Sequence, residues 1–308
     1  MIECQRLLLG DAVRNDAFFR ALQEVIVPGD TTIADIGSGT GYLSFLAEEM
    51  GAKRCDLYEV SADLLALSKR IAKANAVTRC TFVHAHSTSV KKPAAVDVVI
   101  SETLGNFAYE ENIIETMNDA KRFLDPGGVL IPQTLKQFVA PVTSPRLYEE
   151  LNVWNDLGHH LDFNAAKEVC MNNMYVKDVS PEDLLGEGAE WDTVNFLEKN
   201  SSIRDREIAW TFASKNMLYG FAVWWEAQLT DAVSLSTSPW APPTHWKQIY
   251  LPLIDPLPMK KDWTATLRIR SDSRYAVKIH VQWETSINDE QGRMIQRVKQ
   301  DMRKGQIH

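Results

Sequence analysis

Cysteine is scarce in this sequence. The 308 residues contain four, Cys4, Cys55, Cys80 and Cys170, and no two stand at a Cys-x-x-Cys spacing. A disulfide scaffold and a cysteine-built zinc site are therefore not expected, and a reducing, cytoplasmic location fits. No apolar run approaches the ~18 residues of a membrane-crossing helix, so no membrane partner is expected. The opening stretch MIECQRLLLGDAVRND carries an acid at Glu3 and only three successive leucines, which does not read as a secretory leader. Positive charge is in deficit as well: 33 Lys and Arg face 41 Asp and Glu, a formal net charge of −8. Broad phosphate-backbone binding needs clusters of basic residues, so no nucleic-acid partner is expected. An acidic surface steers cationic ligands, or simply keeps the chain in solution. There is no internal repeat and no low-complexity segment.

What is present is an alternation of short β-rich runs with helical periods. Val13, Ala17, Phe18, Ala21, Leu22 and Val25 are spaced for a helix over 12–27, ended by Pro28-Gly29-Asp30. Strands are predicted at 31–36, 56–59, 81–85 and 96–101, with helices after residue 43 and over 62–76 and 110–123. Strands alternating with helices of this length specify a parallel α/β sheet covered on both faces. The pattern changes after about residue 140. Thr264–Ile269 and Val277–Trp283 alternate with period two, as antiparallel strands with one wet face do. The expectation is an α/β, Rossmann-like domain over 1–140 and a β-rich domain over 141–308, interrupted by a polar segment near 158–190.

The first strand runs into Gly37-Ser38-Gly39-Thr40-Gly41. Glycines between a strand and a helix place bare backbone beside a ligand. The spacing is GxGxG rather than the dinucleotide GxGxxG, whose third glycine serves packing beside a pyrophosphate. Asp35, just before the glycines, is placed to face an ammonium. Glu59, at the end of the second strand, is placed to accept hydrogen bonds from ribose hydroxyls, or is a solvated strand end. Strand four ends in Ser101-Glu102, at the edge where parallel sheets bind ligands, and the loop continues to Glu110-Glu111. Two carboxylates on one loop suit the planar fork of a guanidinium. They would draw its charge toward the nitrogens they bind and leave the third richer in electrons. Other uses of such acids are general acid–base work and helix N-terminal electrostatics, the latter preferred for Glu110.

Taken together, Asp35–Gly41, Glu59, the loop Ser101–Glu111 and the distant Ser236-Thr237-Ser238-Pro239 with Thr244-His245-Trp246-Lys247-Gln248 resemble the protein arginine methyltransferases. That family has a glycine-rich motif, a "double-E" loop and a Thr-His-Trp loop. The nine-residue step from Glu102 to Glu111 matches the double-E spacing. The resemblance covers nearly the whole chain, and its specificity lies in the double-E and Thr-His-Trp motifs together.

The resemblance implies S-adenosyl-L-methionine as cofactor and methyl transfer to a guanidinium nitrogen of an arginine-containing protein or peptide. It implies a Rossmann-like domain followed by a β-barrel, with an inserted helical dimerisation arm, here 158–190, and hence a homodimer. Glu102, Glu111, His245 and Asp11 take catalytic places, with Asp11 paired to His245. Arg14, in a stretch resembling the family's N-terminal segment, pairs with the cofactor carboxylate. Asp35, Gly37, Gly39, Gly41 and Glu59 line the cofactor, and Trp246 meets the substrate. The family's adenine-binding acid after strand three is not found; Ser87 or Thr88 supplies a hydroxyl there. The family's N-terminal helix with Tyr-Phe-x-x-Tyr is not found either, which keeps a small guanidine or amine as an alternative substrate. Thr103 stands where many members have tryptophan, and Leu8 replaces a bulkier residue, so the product type is left open. A non-catalytic cofactor-binding partner protein and an NAD-dependent enzyme are the remaining alternatives. His159-His160 has no third ligand at metal spacing, and most of the nine tryptophans are expected in the barrel core.

Overall fold

The structure, a computed structural model, describes residues 2–154 and 161–307; His159 and His160 lie outside them. The N-terminal half runs α1 (Ile2–Gly10), α2 (Ala12–Val25), β1 (Thr32–Ile36), α3 (Tyr42–Glu49), β2 (Arg54–Glu59), α4 (Ala62–Ala74), β3 (Cys80–His84), β4 (Val96–Ile100), α5 (Ile113–Ala120) and β5 (Leu124–Ile131). The five strands pair in parallel in the order β3-β2-β1-β4-β5. Chain direction across the sheet reverses between β1 and β4, and a crevice opens at the carboxyl ends of that pair. The glycine cluster leaves β1 and Glu102 leaves β4 at this point. Ser101 Oγ donates to the Ile36 carbonyl at 3.0 Å, tying the two strand ends together.

Local chemistry accounts for these elements. Asp11 caps α2 by accepting the Arg14 amide at 2.9 Å, and α2 buries Ala17, Phe18, Ala21 and Leu22 against the sheet. Ser61 caps α4 in the same way. Strand β4, Val96–Ile100, is apolar but for Asp97, which points outward and holds Thr32. The helix expected over 110–123 is shorter and is followed by a 3-10 turn over Lys121–Phe123. Helix α1 had no counterpart among the expected elements: none of its residues is buried, so it leaves no apolar period to read.

Parallel pairing ends at Ile131, and the next strand, β6 (Thr134–Val142), already belongs to an antiparallel sheet. The antiparallel architecture therefore begins at Thr134, a few residues before the change of pattern near residue 140. The C-terminal half continues with α6 (Arg146–Glu149), α7 (Asn164–Met171), β7 (Tyr175–Lys177), β8 (Ala189–Asn195), β9 (Ile203–Thr211), β10 (Asn216–Gln228), β11 (Ser234–Ser236), β12 (Gln248–Met259), β13 (Thr264–Asp272), β14 (His280–Asn288) and β15 (Met294–Asp301). The expected barrel takes the form of two antiparallel sheets, β7-β12-β10-β6-β8 with β11 on β10, and β15-β14-β13-β9. Strand β14 alternates buried and half-buried positions throughout, but it begins at His280, so Val277–Ile279 of the expected run lie in the preceding turn. Trp225, Phe221 and Trp283 fill the interior, and this core is continuous with Ile33 and Phe18 of the N-terminal half.

Of the segment expected to form a helical arm, the described part, 161–190, holds α7 as its only α-helix. That helix is stapled to the sheets: Lys167 Nζ reaches Asp255 at 2.7 Å, and Asn172 accepts the Asp301 amide at 2.9 Å. Strand β7 then joins β12.

Candidate active site

The glycine cluster turns back on strand β2. Gly37 and Ser38 amides donate to the Tyr58 carbonyl at 2.9 and 3.1 Å, and the Gly39 amide donates to Glu59 Oε2 at 2.9 Å. The turn requires left-handed backbone, with φ of +76° at Gly37 and +85° at Gly41. Space also demands glycine there. A Cβ on Gly41 would lie 2.5 Å from the Phe45 ring and the Ser68 hydroxyl, and one on Gly37 would meet the Thr103 methyl at 2.9 Å. Helix α1 packs over the cluster through Gln5, whose side chain would stand 3.1 Å from a Gly39 Cβ. A helix does lie beside the glycines, therefore, though without the aromatic motif.

Of the expected acids, Asp35 and Glu59 are buried. Asp35 accepts from Ser44 Oγ at 2.7 Å. Burial pushes its carboxyl up to about 7, with the charges of Glu102 and Glu59 adding and Arg14 opposing. Glu59 is 6 % exposed, so it is no solvated strand end; it spans the Gly39 amide and the Ser61 amide, the latter at 2.7 Å.

A cavity of about 180 Å³ opens from the glycines along the ends of β2 and β3. Gly37, Tyr58, Ser87, Thr103, Glu111 and Tyr275 are among its lining residues. Glu111 is pushed up to about 7, chiefly by burial and then by the neighbouring charges of Glu102 and Glu110. Glu111 thus lines the cavity within electrostatic reach of Glu102, whose own carboxylate is bonded to Arg14. Glu110 accepts the Phe107 amide at 3.0 Å and so serves the loop rather than the helix N-terminus expected for it, because the helix begins only at Ile113. Ser87 has a buried hydroxyl with no protein partner, whereas Thr88 is exposed and bonded to His86. Of the two hydroxyls expected beside the base, Ser87 fits and Thr88 does not, because the 3-10 turn over Ser87–Ser89 points the second outward.

The loop 101–112 is held from the far half of the chain. Trp246 Nε1 donates to the Leu104 carbonyl at 2.6 Å, and Trp225 Nε1 to the Gly105 carbonyl at 3.1 Å. Asn106 donates to the Trp246 carbonyl. Tyr109 donates to Asp192 at 2.7 Å, and Arg204 grips the same carboxylate through Nε and Nη2 at 2.6 and 2.7 Å. The two indoles stack edge to face at 4.9 Å. Trp246, expected to meet substrate, is 2 % exposed and instead positions the loop. Trp225, Asn106, Asp192 and Arg204 were not among the expected residues. Asp192 and Trp225 lie 83 and 120 positions from their loop partners, Asn106 lies 140 positions from Trp246, and Arg204 acts through Asp192, so no local pattern marks them.

Asp11 and His245 meet as the family resemblance implied. Asp11 Oδ2 accepts from the His245 amide at 2.8 Å and contacts Nδ1 at 2.7 Å. Burial raises the Asp11 carboxyl, but the hydrogen bonds from His245 and the Arg14 amide outweigh it and leave the group lowered. Arg14 departs from expectation. Its guanidinium engages Glu102, through Nε at 2.9 Å and through Nη2, and both side chains are 7 % exposed. With a carboxylate at hand inside the protein, that is where the charge pairs.

Comparison with known proteins follows the same two-part division. Residues 134–288 match the arginine methyltransferase oligomerization subdomain, and residues 29–198 a methyltransferase domain. The chain is similar to protein arginine N-methyltransferase 6 of Xenopus tropicalis, 28% identical over 276 residues, covering 84% of this chain and 80% of the relative. It is 25% identical over 337 residues to a probable protein arginine N-methyltransferase 6 of Arabidopsis thaliana, covering 91% and 76%. Its fold matches that of the Trypanosoma brucei PRMT1 enzyme–prozyme heterotetrameric complex with AdoHcy, at a TM-score of 0.84, 23% identity and coverage of 97% and 96%. It also matches Arabidopsis thaliana protein arginine methyltransferase 10, at 0.82, 19% identity and 98% of each chain.

Proposed function

This chain belongs to the protein arginine methyltransferase family, and on that premise we propose that Glu102 and Glu111 hold the guanidinium of a protein arginine for methylation on nitrogen. The observation that carries this is the pairing of Glu102 with a guanidinium, that of Arg14, within electrostatic reach of Glu111, which lines the cavity beside Gly37.

The residues present fit S-adenosylmethionine. Three glycines cradle the crevice, Ser87 keeps an unpaired buried hydroxyl, and Glu59 and Asp35 offer buried carboxylates to ribose hydroxyls and an ammonium. Arg14 is the cation within reach for a carboxylate. When bound, the cofactor supplies an electrophilic methyl on a sulfonium. The protein's own part is orientation and electrostatics. Two carboxylates fix the guanidinium plane and polarise it, so that the free nitrogen carries more of the electron density. Methylation releases one proton, and Glu111, with its raised affinity for protons, is placed to take it. Asp11 holds His245 in one orientation. Trp246, Trp225 and the Asp192–Arg204 pair keep the loop from moving.

We assign the cofactor-binding half to the elements through β5 and the substrate half to those from β6 onward, as a homodimer in the cytoplasm. Among the described residues no helix is long and apolar enough to cross a membrane. The reading is tested by supplying labelled S-adenosylmethionine with an arginine-rich peptide or with free arginine and hydrolysing the product to amino acids. Label in methylated arginine from the peptide is expected. Label only with free arginine would redirect the substrate to a small guanidine, and no label would remove the enzymatic reading.

A further inference from the structure

The turn between β13 and β14 belongs to the C-terminal half, yet it docks on the cofactor crevice of the N-terminal half. Asn112 Nδ2 donates to the Ser273 carbonyl at 2.8 Å and to the Lys278 carbonyl at 3.2 Å. The Tyr275 amide donates to Glu115. The Tyr275 hydroxyl lies 3.0 Å from Thr116 Oγ1, and its ring meets that of His86 edge to face at 5.0 Å. Tyr275 thereby becomes a wall of the same cavity that Gly37, Ser87 and Glu111 line.

The part of the cavity beyond Glu59 is suited to a flat heteroaromatic base. Val60 and Ala85 give aliphatic walls, His86 and Tyr275 give rings, and Ser87 gives an unsatisfied hydroxyl. An aromatic side chain over a purine and a lone polar group at its edge are how proteins fix such a base. We propose that Tyr275 contacts the adenine of the cofactor, carried there by a turn of the substrate half. The same turn holds Asn112, the residue next to Glu111, so seating the base and placing the acid depend on one docked segment. This rests on the cofactor reading above.

The test is calorimetric titration of the wild type, Tyr275→Phe and Tyr275→Ala with S-adenosylhomocysteine and with 5′-methylthioadenosine, which lacks the amino-acid portion. Tyr275→Ala should weaken both ligands by a similar factor, about tenfold, and Tyr275→Phe by roughly two- to threefold. Ligand-free melting curves identify any loss of folding in the alanine variant. If it does not fold, the phenylalanine variant, with Thr116→Val removing the hydroxyl's partner, carries the test. Unchanged dissociation constants for both ligands in a folded Tyr275→Ala would overturn the assignment. So would a loss confined to S-adenosylhomocysteine, since the contact would then lie elsewhere. A wild type that binds neither ligand would instead overturn the cofactor reading, and this inference with it.

Discussion

The glycine cradle and the acid loop face each other across a few ångströms, but they are built differently. The cradle is assembled almost wholly from its own sheet: Gly37 and Ser38 on Tyr58, Gly39 on Glu59, Asp35 on Ser44. These hydrogen bonds span at most 21 positions of sequence. The acid loop takes its shape from Trp225, Trp246, Asp192 and Arg204 in the other half of the chain. Cofactor binding is therefore a local property and substrate positioning a global one. Damage to the substrate half should spoil turnover before it spoils cofactor affinity, except where the β13–β14 turn reaches across.

The largest separation of the two properties is expected at Glu111. Glu111→Gln should lower kcat by about a thousandfold or more, while the dissociation constant for S-adenosylhomocysteine stays within a few-fold; a large loss of binding would place Glu111 in the cradle instead. In the wild type, Glu111 must be ionised to hold a guanidinium. Its carboxyl is raised to about 7, so kcat/KM should fall as pH drops through that value. Glu59→Ala should do the converse. It removes an acceptor from the cradle, and calorimetry should show about ten- to hundredfold weaker cofactor binding, with kcat at saturation nearly kept.

Smaller effects sharpen the contrast. Trp225→Phe keeps most of the ring and loses the hydrogen bond to Gly105. It should reduce kcat about three- to tenfold and leave cofactor affinity untouched, as paired titrations and steady-state assays would show. Asp35→Asn concerns stability. A buried carboxyl raised from 3.8 to about 7 favours the folded state below its unfolded value and loses that contribution as pH rises through 7. Without cofactor, the asparagine variant should melt a few degrees above the wild type at pH 8 and at the same temperature at pH 4. An equal shift at both would show that packing, not charge, is responsible.

The same contrast explains what could be read from the sequence. Asp35, the glycines and Glu59 were legible because strand, turn and next strand follow one another in the chain, and the sheet's switch point brings Glu102 to them. The period-two runs of β13 and β14 revealed the second architecture. The Asp11–His245 pair was reached only through resemblance, since 234 positions separate the partners. Trp246 differs from expectation for a related reason: a motif beside the site suggests contact with substrate, whereas the indole donates to the Leu104 carbonyl of the neighbouring loop. Helix α1 and the short described part of the arm left no apolar period. The role of Arg14 could not be foreseen, because a fixed internal carboxylate competes with any expected ligand.

That last pairing has a kinetic consequence. With Glu102 in its proposed role, the protein keeps an arginine of its own where a substrate arginine would sit. A tethered occupant acts as a competitor at an effective concentration on the order of millimolar or more, so dilute free arginine arriving first finds no vacancy at Glu102. On the proposed roles, a second anion that draws Arg14 aside would clear that place, and one side chain would then couple the arrival of the two ligands.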